Sequence, residues 1–136
     1  MVWGNTNNGA GYDLVLMGQA EPIKINLDEM EAKLASPQYA EDKQSLREIG
    51  FNSAVELFST YAGQPTDLKP WLADAQINHD RNLRLQYLAG MGLNLYQSAP
   101  IYAEMINYAK FPDNIFTGSE PLMQALRDGI QRATGR

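Results

Sequence analysis

The sequence predicts an α+β fold, mostly α, in which an N-terminal β-hairpin is followed by five to seven helices. Three observations carry this expectation. The run Val2 to Gln19 reads as a hairpin, a short aromatic-led strand and a second strand apolar almost without a break, about a turn centred on Asn8-Gly9, the dipeptide that supplies the two φ > 0 positions of a tight hairpin turn. Helix-start signals then recur at Asn26, Ser36, Ser53 and Ser119, each followed by apolar residues at helical spacing. Finally, 136 residues with 44% hydrophobic content suit one domain with a modest core. Residues 1–25 form the hairpin and a short extended segment, and 26–136 the helical region.

The second hairpin strand, Leu14-Val15-Leu16-Met17, is apolar without alternation, the pattern of a strand covered on both faces, as in an α/β sheet. The sequence offers no other strong strand to pair with it, although Ile23-Lys24-Ile25 can extend briefly. Asn26-Leu27-Asp28-Glu29 is a capping-box arrangement and predicts a helix from Leu27, with Met30 and Leu34 on its apolar face. Ser36-Pro37 predicts a capped restart, with Tyr39, Leu46 and Ile49 buried and Gly50 as the left-handed stop. Ser53 with Glu56 predicts a third start, with Val55, Phe58 and Tyr61 inward before Gly63.

Gln64 to Asp67 reads as a turn, and Lys69 to Asp74 as a further helical turn or two carrying Trp71 and Leu72. Asn78-His79-Asp80 favours a loop, since all three residues suit caps and turns, before a helix through Leu83, Leu85, Tyr87 and Leu88 that Gly90 and Gly92 interrupt or kink. Pro100 opens the next helix, where Ile101, Met105 and Tyr108 share a face that Tyr102, Ile106 and Ala109 widen. Pro112 to Asn114 ends it. Ser119-Glu120-Pro121 starts the last helix, with Leu122, Ala125, Leu126 and Ile130 at helical spacing and a frayed Gly135-Arg136.

Charge and composition exclude several function classes. A net charge of −5, with eleven scattered Lys and Arg residues, argues against nucleic acid and against an anionic membrane surface. No apolar stretch approaches the ~20 residues that span a bilayer, and no secretory signal opens the chain. With no Cys and one His, neither a metal site nor thiol catalysis is expected, and a reducing compartment fits.

Several patterns invite chemistry, but each has a structural counterpart. The glycine-rich Gly4 to Gly11 run lacks the following helix that phosphate-cradling loops need, so it reads as the hairpin turn. His79 beside Asp80 could do acid–base work, yet no nucleophile motif accompanies the pair, and a loop histidine is the simpler reading. The acidic groups Asp28, Glu29, Glu31 and Glu41, Asp42 fall where helix dipoles attract acids. Tyr87, Tyr96, Tyr102 and Tyr108 read as core aromatics with hydroxyls at a rim rather than a ligand groove. No catalytic, cofactor-binding or metal-ligating residue is therefore assigned.

Two stretches carry a family resemblance. The hairpin Val2 to Gln19 resembles the closing hairpin of the Rossmann-like domain of spermidine synthases, specifically bacterial proteins in which a transporter-like region is fused to a spermidine synthase domain. Ala75 to Gly90 is similar to a family stretch Asn-Thr-Asp-Asp-Arg-Pro-x-Leu-Glu-Tyr: Asn78, Asp80, Leu85 and Tyr87 match at identical spacing, while His79, Arg81, Leu83 and Gln86 depart. The resemblance implies a C-terminal, non-catalytic portion of an aminopropyltransferase of polyamine biosynthesis. In that family the nucleoside-binding glycine loop and the acidic substrate-binding residues lie upstream of this segment. It also implies a structural or substrate-rim role for Asn78, His79, Asp80 and Tyr87, no bound cofactor, and a cytoplasmic location attached through the parent to a membrane protein.

A second class stays open: an autonomous helical module for protein interaction or oligomerisation. Either way the expected partner is an upstream domain or another copy. Self-association would bury Trp3, Leu14 and Leu16.

Overall fold

The computed structural model describes residues 1–7 and 10–134, and the side-chain surroundings of all of these except 5–7 and 10–12. Seven α-helices and five short strands lie among the described residues, so the α+β, mostly α, class is correct. The first strands, β1 (Val2–Asn7) and β2 (Ala10–Leu16), run antiparallel, with Val2 opposite Leu16, Trp3 opposite Val15 and Asn7 opposite Ala10. The predicted turn residues Asn8 and Gly9 lie outside the described residues, as do Gly135 and Arg136.

β3 (Ile25–Asn26) leads into α1 (Leu27–Ala35), where the Asn26 side chain accepts from the Glu29 N–H as its capping signal requires. Ser36 does not cap the next segment. Its hydroxyl instead donates to the Lys33 carbonyl, and Pro37–Tyr39 forms a single 3₁₀ turn before α2 (Ala40–Glu48). Tyr39 and Leu46 are only half-buried, and Ile49 is 69% exposed, against the sequence expectation that all three are buried. Ile49 is the C-cap of α2, where the backbone leaves helical geometry and turns the side chain off the apolar stripe. Gly50, at φ +97°, takes the left-handed position as expected.

α3 (Ala54–Phe58) opens on Ser53, which accepts from the Glu56 N–H; the Glu56 carboxylate reaches back to the Asn52 N–H. Tyr61 belongs not to that helix but to β4 (Tyr61–Gly63), a strand the sequence does not announce. β4 pairs antiparallel with the other side of β1, so the sheet order is β2-β1-β4. Between the pairs Trp3 with Tyr61 and Val2 with Gly63, Ala62 is the extra residue of a β-bulge.

α4 (Pro65–Leu68) falls where a plain turn was expected, and residues 69–74 continue as turns rather than as a helix. α5 (Arg84–Asn94) runs through Gly90 and Gly92 without a break, and α6 (Ser98–Ile106) follows. α6 buries Tyr102 and Met105 but leaves Ile101 exposed. β5 (Phe116–Thr117) pairs in parallel with β3, and α7 (Glu120–Thr134) closes the described chain.

The core forms on both faces of β1. On one face Trp3 packs with Leu27, Val55, Tyr61, Ile115, Phe116, Leu126 and Ile130, contributed by α1, α3, β4, the β5 region and α7. Trp3, Phe58, Tyr61 and Phe116 make mutual ring contacts at centroid distances of 5.5 to 6.4 Å, mostly tilted or edge-on, the arrangement that ring quadrupoles favour. On the other face Val2 packs with Ala62, Leu68, Tyr102 and Met105. Gly4 belongs to this second face: a Cβ there would land on the Tyr102 ring. Strand alternation thus sends Val2 and Gly4 to the α6 side and Trp3 to the α7 side.

Candidate functional site

β2 is the outer strand of this sheet, and α6 lies against β2 and β4 on one face. Leu14 and Leu16, opposite Gly4 and Val2, lie on the α6 side of the sheet, and Val15, opposite Trp3, on the α7 side. All three are exposed, Leu16 to 76%, and so is Met17. Met17 is nonetheless tied to the strand pair, its N–H donating to the Met1 carbonyl (3.0 Å) and its carbonyl accepting from the Met1 amino group (2.7 Å). β2 is therefore an edge strand whose Leu14–Leu16 end is apolar on both faces, with no strand on its outer side among the described residues. Such an edge is a template for pairing with another strand.

Asn78, His79, Asp80 and Tyr87 are all exposed. Asn78 and Asn82 organise their loop: Asn78 Oδ1 accepts from the Leu85 N–H (2.9 Å), and Asn82 Oδ1 accepts from the N–H groups of His79 (3.0 Å) and Arg84 (3.3 Å). Asn78 and Asn82 thus satisfy free donors at the start of α5, while Leu83 at φ +47° makes the turn into it. The four tyrosines do not converge: Tyr102 is buried against Gly4, Tyr108 is half-buried, Tyr87 is exposed and Tyr96 is 89% exposed.

Trp3 is 9% exposed and lies within the chain's own core, so it is not available to a second copy. Its burial corrects the expectation that it joins Leu14 and Leu16 at an interface. The sequence treated the hairpin as one surface, but pairing with β4 makes β1 the covered strand and leaves β2 as the edge.

The acids of α1 do structural work. Asp28 Oδ2 accepts from the Ser119 N–H (2.6 Å) at the start of α7, and Glu31 Oε1 accepts from the Val55 N–H (3.1 Å) in the first turn of α3. Hydrogen bonding from Ser119 holds the Asp28 carboxyl below the usual carboxylate range. Glu41 and Asp42 lie exposed in the first turn of α2. Among the described residues, no group of three or more His, Cys, Asp or Glu could hold a metal ion. No described helix is long and apolar enough to cross a membrane.

Among the described residues, the buried side-chain atoms Trp3 Nε1, Tyr61 Oη and Asp67 Oδ2 have no hydrogen-bond partner. Burial first, and then the charge of Asp67, push the Tyr61 phenol well above its ordinary range, so it stays neutral. Sequence patterning gave no sign of α5 as a surface feature. Leu85, Tyr87, Leu88, Met91 and Leu93 are all exposed, and the helix buries none of its residues. These apolar side chains spread around most of the helix circumference, and no element among the described residues buries them.

Comparisons with protein-family models, with curated proteins and with solved structures found no match.

Proposed function

We propose that this chain is a non-catalytic assembly segment of a spermidine synthase-like aminopropyltransferase, in which β2 extends the sheet of a nucleotide-binding domain of the same protein. The observation that carries the reading is the outer edge of β2, where Leu14, Val15 and Leu16 alternate across the two sheet faces and all remain exposed, with no strand beyond them among the described residues. A strand of that composition suits the interior of an α/β sheet, with a neighbour on its free edge and helices above and below. The hairpin and the Asn78 to Tyr87 stretch, which resemble the spermidine synthase family, support the choice of parent. In this reading the parent moves an aminopropyl group to a diamine, and the present segment contributes sheet closure and a helical appendage.

An immunoblot of the source cells with antiserum raised against this chain tests the proposal. A band far above 15.2 kDa, whose peptides include a strand–glycine loop–helix unit, is the expected result. A band at 15.2 kDa alone overturns it. The second reading, an autonomous module that associates through its own surfaces, then stands, and the exposed apolar residues of α5 favour it.

A further inference from the structure

We draw no further inference here: the strongest candidate, the exposed apolar surface of α5 formed by Leu85, Tyr87, Leu88, Met91 and Leu93, carries nothing because nothing in the structure shows what covers it.

Discussion

Tyr61 and Gly129 show how single atoms set the tolerances of the core. The Tyr61 ring is packed among Trp3 and Phe116, but its hydroxyl is buried without a partner. An unpaired buried hydroxyl costs about 1–3 kcal/mol, so Tyr61→Phe, which keeps the ring, is expected to raise the thermal midpoint. It should also flatten the alkaline limb. Because the folded pKa lies above the unfolded one, folding retains a proton that the unfolded chain releases above about pH 10, and stability falls as pH rises through that region. Tyr102, raised by burial in the same direction, leaves part of that slope in place. Thermal melts of both proteins from neutral to alkaline pH check the prediction. An unchanged slope would mean that Tyr61 does not contribute.

At Gly129 two effects compete. Alanine would gain about 1 kcal/mol of helix propensity in α7. Its Cβ, however, would meet the Ser59 hydroxyl and come within 2.8 Å of the Ser59 Cβ, which no rotamer change can move. Overpacking of this kind costs about 1–3 kcal/mol. Gly129→Ala is thus expected to lower stability in denaturant titration, and adding Ser59→Gly should restore it.

Among the elements, α1 links three helices through its carboxylates. Asp28 caps α7 and Glu31 caps α3, while Asn26 and Glu29 serve α1 itself. Asp28→Asn is expected to lower the melting temperature near neutral pH. The carboxyl is held below its ordinary value in the folded chain, so its contribution is present above the unfolded pKa and lost as pH falls through the folded one. The gap between wild type and variant should therefore close in acid. A gap that stays constant with pH would remove the charged cap as the cause.

The caps were also the most legible feature of the sequence. Asn26 and Ser53 bind the N–H groups their spacing implies, and Ser119 stands at the start of α7. Local signals of this type depend on three or four consecutive residues. β4 was not legible, because three residues carry no period and Tyr61-Ala62-Gly63 becomes a strand only through pairing with β1. Gly90 and Gly92 misled in the other direction: each costs only about 1 kcal/mol in a helix interior, too little to break α5. For the candidate site, the second hairpin strand was readable from its apolar run, but that run signals a strand covered on both faces, whereas β2 lies at the sheet edge with Leu14, Val15 and Leu16 exposed. That Trp3 falls inside and Leu16 outside was not readable, since the answer depends on which hairpin strand finds a second partner.

At the scale of the whole molecule, the exposed edge of β2 is the surface on which association is predicted to depend. The chain on its own is expected to associate in a concentration-dependent way through Leu14 and Leu16. Leu16→Lys should abolish the association by placing a charge on the edge. Because Leu16 is 76% exposed, the same change should cost no more than about 0.5 kcal/mol of fold stability. Sedimentation equilibrium with a parallel thermal melt checks both halves. A wild-type monomer of 15.2 kDa at high concentration would remove β2 as an association surface.

The arrangement of the core along the chain has one further consequence. Its residues come from the two ends and from Val55 to Leu68, whereas residues 75–91 are exposed throughout and only return to the core at Tyr102. The stretch between them is an excursion that the folded body does not need as a continuous tether. Trypsin should therefore cut first after Arg81 and Arg84, both exposed at the entry to α5. The two large pieces should then remain together as a non-covalent complex, elute as one species, and separate only in denaturant.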